Sequence, residues 1–323
     1  MTKKFLFSAL IMLSLGAVIS FPFIGEVPFS LDMLFKESVE QTIFFNIRIP
    51  RVLGAYITGA ILALAGMLFQ SMFRNDLATP YTLGISSGAA LGAVMAIKFF
   101  ATVQFLYYPA IQVFSFAMAL TTVAVLHLLT FSRKRSSTHF LLLAGIAINF
   151  TCTGAILFIQ YIASGSESSR MVRWMMGSLD FIGYSPVLKL IPALILLLVT
   201  ALYFHRDLDL LSIDSDIAHS RGVNIKFTEK TLFFAVSLAV AITVANTGPI
   251  GFVGMIAPHV GRKLIGRGHI SLIPASLMLG GLILLVSDTF ARTVISPSEI
   301  PVGVITALLG GPFFIFILIK KSG

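Results

Sequence analysis

The chain has 323 residues, of which 57% are hydrophobic and 11% charged, with a mean hydropathy of +0.95. A water-soluble domain of that composition would carry an apolar surface, so the solvent is lipid. With roughly 20 apolar residues per spanning helix, the length holds about ten spans and no separate soluble domain. A formal charge of +9 does not point to nucleic acid, because Lys and Arg sit in short runs between apolar segments, as the positive-inside rule expects. The lone Cys152 rules out an intrachain disulfide and reads as a small packing residue.

In chain order, Lys3-Lys4 precede an apolar run over residues 5–24. It reads as a first membrane helix rather than a cleaved leader, because it is long and no small-x-small site follows it. Further spans are expected at 49–69, 81–100, 109–131, 140–162, 187–204, 231–245, 251–265, 270–291 and 302–319. An even count puts both termini on one side. The larger share of the 23 Lys and Arg gathers there, including Arg74, Arg133, Lys134, Arg135, Arg221, Arg262 and Lys263, which marks that side as cytoplasmic.

Two features depart from straight hydrophobic rods. The stretch Asn246-Thr247-Gly248-Pro249-Ile250-Gly251-Phe252-Val253-Gly254 breaks an apolar run between two segments that look short for a full span. Non-helical backbone at membrane depth is tolerated only beside protein or a water-filled cavity; the break therefore reads either as the lining of a pathway or as an ordinary tight turn. Small residues form the second feature: Gly54, Gly59, Gly66, Gly84, Gly88 and Gly92 punctuate the second and third spans and Gly280-Gly281 the ninth, which predicts close helix packing.

Intramembrane polar residues are scattered singly. His127, Asn149, Gln160 and Asp288 form no cluster at metal-ligand spacing, and His127 reads as a packing residue. Asp288, near the end of its helix with Arg292 four residues on, is expected to form an i,i+4 ion pair rather than a proton relay. No Gly-rich loop ending in Gly-Lys-Ser/Thr is present, so any ATP that drives the protein is hydrolysed by another chain. Arg48 and Arg51 bracket Ile49-Pro50 at the outer mouth of the second span, and Arg292 closes the ninth. Against the charge bias, these read either as a carboxylate-docking ring or as helix ends snorkelling to lipid phosphates.

The segments Arg48-Ile49-Pro50-Arg51, Gly66-Met67-Leu68-Phe69-Gln70, Arg74 to Pro80 and Leu83 to Ala89 resemble the FecCD family of ABC importer permeases. So do Gly177-Ser178-Leu179, Arg221-Gly222-Val223, Ala257-Pro258-His259, Glu299 to Gly303 and Gly310 to Phe314 later in the chain. The match runs in order over nearly the whole length. It implies an all-α polytopic membrane protein of about ten transmembrane helices with the BtuC-like permease fold, residues 1–323 forming a single transmembrane permease domain. Implied with it are a second permease subunit, identical or paralogous, two cytoplasmic ABC ATPase subunits, a substrate-binding protein, and location in the cell inner membrane with no cofactor. The resemblance assigns docking of the binding protein to Arg48, Arg51 and Arg292. It assigns a cytoplasmic gate to Asn75 and Leu77, and ATPase coupling to Ser215, Asp216, Ala218, Arg221 and Gly222 within residues 211–226. The family's usual Asn-Pro-Leu is here Asn75-Asp76-Leu77, which restores a backbone donor and adds a charge at the gate; two such Asp near a dimer axis would repel unless Arg74 or water screens them.

The function expected is thus a permease for iron chelates, siderophore or haem, or for cobalamin, with no covalent catalysis of its own. The alternatives are an ion-gradient-driven secondary transporter and a membrane-embedded enzyme or sensor. The lack of a buried acid and of a clustered catalytic site argues against both.

Overall fold

The computed structural model describes residues 3–25, 39–100, 103–105, 108–131, 138–295 and 298–322. Arg133, Lys134 and Arg135 lie outside them. Helix α1 (Lys3–Ser20) is followed by α2 (Val39–Ile43), which runs through a π turn at Phe44–Arg48 into α3 (Ile49–Met72). Then come α4 (Ile85–Phe99), a two-residue hairpin of β1 (Gln104–Phe105) and β2 (Tyr108–Pro109), α5 (Ala110–Phe131), α6 (Thr138–Tyr161), α7 (Gly165–Met175) and α8 (Ser185–Tyr203). The chain continues as α9 (His205–Leu211), α10 (Ser215–Ser220), α11 (Ile225–Thr247), α12 (Val253–Leu264), α13 (His269–Thr293) and α14 (Val302–Ser322). Among the described residues seven helical stretches, α2–α3 counted as one, are long and apolar enough to cross a membrane. The shorter apolar α4 and α14 and the twelve-residue α12 complete the ten spans. Lys3, Arg262 and the end of α14 lie at one end of the bundle, the terminal face; the β hairpin and α7 lie at the other, the distal face.

Helix α3 is the axis of the bundle: every residue from Thr58 to Met72 is buried, the pattern of a helix surrounded by protein on all sides. Its glycines explain the close approach of its neighbours. A methyl group on Gly59 would strike the backbone of Gly280 in α13, and one on Gly66 would strike the carbonyl of Gly254 in α12. Lipid offers no hydrophobic drive between helices, so such backbone-to-backbone contacts carry the association. Gly88 and Gly92 of α4 meet Thr122 and Phe114 of α5 in the same way.

Four elements differ from the sequence expectation, each for a local reason. The second span begins ten residues earlier than expected, so Arg48 and Arg51 stand within a continuous helix rather than at its mouth. Pro50 has no N–H to give the carbonyl of Asn46; that carbonyl accepts instead from the N–H of Gly183 at 2.7 Å, and the helix passes the site as a π turn. The third span begins at Ile85, because Thr79 and Thr82 bond each other and the local backbone in a turn that ends at Gly84, φ 83°. Helix α11 is a full span of 23 residues rather than a short one. Finally, α7 is an amphipathic surface helix closed by a capping box between Ser164 and Glu167. Outside the membrane-spanning segments, the Ser164 backbone N–H, the Lys98 ammonium and the Ser164 hydroxyl together hold the Glu167 carboxyl down at about 2.

Candidate functional site

At the distal face the three expected arginines come together, but each is engaged by its own chain. Arg51 donates through Nε and Nη2 to Asp288 (3.0 Å at the closest) and through Nη1 to Glu299 (2.9 Å). Asp288 is fully buried and Glu299 half exposed. Arg292 therefore is not the ion-pair partner of Asp288 that the i,i+4 spacing suggests. Its Nη2 donates to the carbonyl of Phe21 at 3.2 Å, and Arg48 reaches the carbonyl of Pro22 at 3.4 Å. Both carbonyls belong to the 3₁₀ turn Phe21–Phe23 that ends α1; that of Phe21 also accepts from Ile24 N–H at 3.1 Å, so Arg292 takes its second lone pair. Beside the cluster a cavity of about 680 Å³ is lined by Arg51, Arg173, Asp180, Asp288 and Glu299.

Below it lies the break between α11 and α12. Residues 248–252 are non-helical and lead inward from the distal end of α11, so that α12 begins part-way through the bundle, with Gly254 against Leu62 and Gly66 of α3. Protein satisfies this backbone as the lipid environment demands. The carbonyl of Thr247 accepts from Ser178 N–H at 2.9 Å, Gly248 (φ 68°) lies on the carbonyl of Trp174, and the carbonyl of Pro249 faces Gly177 and Gly303. Phe252, at φ 66°, holds a conformation unusual for a bulky residue; its ring fills the space over Gly310 of α14. The exposed ring of Tyr81 reaches Gly251, and with Ser86, Phe252 and Met255 it borders a small pocket at this depth.

At the terminal face, Pro258 of α12 has no N–H for the carbonyl of Gly254, and the Gln70 amide donates to it at 3.1 Å. Arg262 then bonds Gln70 Oε1 at 2.6 Å and Asp76 at 3.4 Å. The charge of Asp76 is thus met by Arg262, while Arg74 pairs with Asp214 at 3.6 Å. Asn75 Oδ1 accepts from Leu77 N–H at 2.9 Å, so the Asn75 acceptor is used inside its own turn and its two N–H donors remain for a neighbour. Leu77 is 38% exposed at the tip of that turn.

The segment expected to meet an ATPase is the α9–α10 pair. Asp214 caps α10 by accepting from Asp216 and Ile217 N–H, and Ala218 is buried against Leu211 and Val223. Gly222 (φ 86°) reverses the chain, and Arg221 is exposed beside it. Of the residues expected here, Ala218 shapes the pair from inside; Asp216 and Arg221 reach its surface. The pair is tied to the bundle by His269, whose Nδ1 meets Asp209 Oδ1 at 2.6 Å and whose Nε2 meets Ser71 Oγ at 2.7 Å. Gln70, Asp209, Arg262 and His269 were not legible as site residues. Only the four-residue spacing of Gly254 and Pro258 hints that a helix carbonyl needs an outside donor. The other polar residues within the spans are held locally: Asn149 by Ser87, Gln160 by Met175, and His127 in ring contact with Phe234 at 4.9 Å.

A ten-span bundle with an irregular, protein-satisfied segment at membrane depth, charged clusters at both ends and a helix pair tied to the end of α3 defines a membrane transport subunit rather than an enzyme. Residues 6–320 match the FecCD transport family, and the chain belongs to it. It is 36% identical to the hemin transport system permease protein HmuU of Yersinia pestis over 98% of this chain and 95% of that one. It is 33% identical to the molybdate import system permease protein MolB of Haemophilus influenzae over 97% and 92%. A solved structure described as an inward-facing metal-chelate type ABC transporter superposes with a TM-score of 0.82 at 30% identity, covering 99% of this chain and all of the other.

Proposed function

We propose that residues 1–323 form a single permease domain of an ATP-driven importer in the cell inner membrane, with the terminal face cytoplasmic and the distal face turned to a substrate-binding protein. A second copy or a paralogue completes the pathway, and two ATPase subunits sit against α9–α10. The observation that carries the reading is the tie Asp209–His269–Ser71, buried at its His269 and Ser71 end: a force applied to α9–α10 from below is delivered to the end of α3, from which the Asn75–Leu77 turn hangs. In the closed state that turn meets its copy, with Leu77 as the apolar plug. A gradient-driven carrier is disfavoured because Asp288, the buried acid among the described residues, is already neutralised by Arg51.

Docking at the distal face works by exchange. The half-exposed Glu299 holds the outer fork of Arg51, and a carboxylate of the binding protein takes its place there, while Arg48 and Arg292 turn from the Phe21 and Pro22 carbonyls to further acids. The cargo is a metal chelate, haem, a ferric siderophore or a corrinoid, as the hemin-transporting relative and the metal-chelate type structure support. The test reconstitutes the chain with its ATPase and binding protein. Replacing Arg221-Gly222 with Glu-Glu should leave insertion intact and abolish substrate-stimulated ATP hydrolysis. Transport that survives ATP depletion and collapses with an uncoupler would overturn the reading. Growth of a deletion strain on single chelates, haem, corrinoids and molybdate identifies the cargo, and a defect confined to molybdate would refute the chelate assignment.

A further inference from the structure

Near the distal ends of α5, α8 and α11, beside the start of the break after α11, lies a half-open cavity of about 410 Å³. Its walls are apolar, with Val113 and Phe116 on α5, Pro192 on α8, and Ile242 and Ala245 on α11. Two side-chain oxygens within it, Gln112 Oε1 and Asn246 Oδ1, are shielded from solvent yet accept no hydrogen bond from any described residue. The orientation of the Asn246 amide is fixed by its Nδ2, which donates to the carbonyl of Ile242 at 2.7 Å. A buried acceptor without a donor is costly. The same cavity is lined by Lys189, whose ammonium stands 4.4 Å from the centre of the Tyr108 ring, an aromatic and a cation at the helix ends where a membrane interface is expected.

Towards the terminal face an apolar stripe of α11 runs on from the cavity. Asn246, Ile242, Leu238 and Phe234 follow one another at four-residue spacing down one side of α11, and Leu238 and Phe234 are exposed. At 1.5 Å per residue that stripe is about 18 Å long. Ile195 and Val199 of α8 and Val125 of α5 are exposed apolar residues on the helices that flank it. An apolar pocket whose lining carries one cation and two orphan acceptors, next to an apolar stripe about as long as an acyl chain, is the outline of a glycerophospholipid.

The charges choose among headgroups. Lys189 pairs with one phosphate, after which the pocket is neutral. An ethanolamine ammonium would bring a second cation beside Lys189, whereas glycerol hydroxyls supply uncharged donors for the two amide oxygens. We propose that this cavity is a binding site for a single phosphatidylglycerol, its phosphate on Lys189, its headgroup hydroxyls on Gln112 and Asn246, and one acyl chain along the Ile242–Leu238–Phe234 stripe. A lipid seated there bridges α5 and α8 across α11.

The site is independent of the ATP-driven reading, since binding is measured on the full chain alone. The chain, purified in mild detergent, is titrated by native mass spectrometry with phosphatidylglycerol, phosphatidylethanolamine and phosphatidic acid. One phosphatidylglycerol per chain should bind about tenfold more tightly than phosphatidylethanolamine, the size expected for one charge-assisted contact. Lys189→Glu should erase that preference and Lys189→Arg keep it. Joint Gln112→Leu and Asn246→Leu should bring phosphatidylglycerol down to the affinity of phosphatidic acid, which has the phosphate without the hydroxyls. An unchanged thermal midpoint for Lys189→Glu shows that the fold is intact. Equal binding of the two diacyl headgroups by the parent chain would overturn the proposal. So would preference surviving Lys189→Glu, or a cysteine at Leu238 that cross-links to a second copy in the membrane and so places protein on the stripe.

Discussion

Replacing Arg51 with Met removes the cation that holds Asp288, whose side chain is 1% exposed. The carboxylate then loses three donor contacts, and breaking a buried pair from one side costs about 3–5 kcal/mol. Glu299, 49% exposed, returns to solvent at little cost. With an unfolding entropy of ~2.1 cal/mol/K per residue, 323 residues carry about 0.7 kcal/mol/K, so the midpoint falls by about 4–7 °C. Adding Asp288→Leu to the same chain removes the stranded charge and recovers most of the loss, because an apolar pair in place of a buried ion pair is often neutral or better. The assay is thermal unfolding of the detergent-purified chain, read by a thiol-reactive dye at buried Cys152. A single variant as stable as the parent, or a double variant no more stable than the single, would refute the reasoning. The stable double variant also reports the share of Arg51 in docking, free of any folding loss.

Gly66→Ala pushes a methyl into the Gly254 carbonyl and should cost about 1–3 kcal/mol, whereas Gly154→Ala, with open space around it, should leave the midpoint unchanged. The Glu167 carboxyl, lowered from its usual 4.5 to about 2, contributes stability that is complete above 4.5 and fades as pH falls through that interval towards 2. Protection factors in α7, corrected for the intrinsic pH dependence of amide exchange, should therefore fall over that range in the parent and stay level in Glu167→Gln. Leu77→Ala should make importer-containing liposomes leak a small fluorescent anion at rest; vesicles as tight as the parent's would place the gate elsewhere. His269→Phe keeps the packing but loses both polar contacts, and should weaken substrate stimulation of ATP hydrolysis while the affinity for the binding protein stays constant. A fully stimulated variant would remove His269 from the coupling path.

Composition and hydropathy by themselves determined that the chain lives in lipid and crosses it about ten times, because a spanning helix needs a length of apolar residues that nothing else in a sequence imitates. The glycines of the second, third and ninth spans also announced close packing, and the ordered motifs carried the family. What the linear pattern left open was which residues meet across helices. The i,i+4 spacing offered Arg292 to Asp288, yet the bundle presents Arg51 from another helix, since in a packed membrane core the partner of a charge is set by helix rotation and not by neighbourhood in the chain. The same limit applied to the break at residues 246–254. Sequence could show that the helix stops there, but where the chain went before α12 begins depended on the Trp174, Gly177 and Gly303 surfaces that receive it. It applied again to the carbonyls freed by Pro50 and Pro258. A proline shows that an acceptor has been released, and only the tertiary structure names the Gly183 amide and the Gln70 side chain that satisfy them.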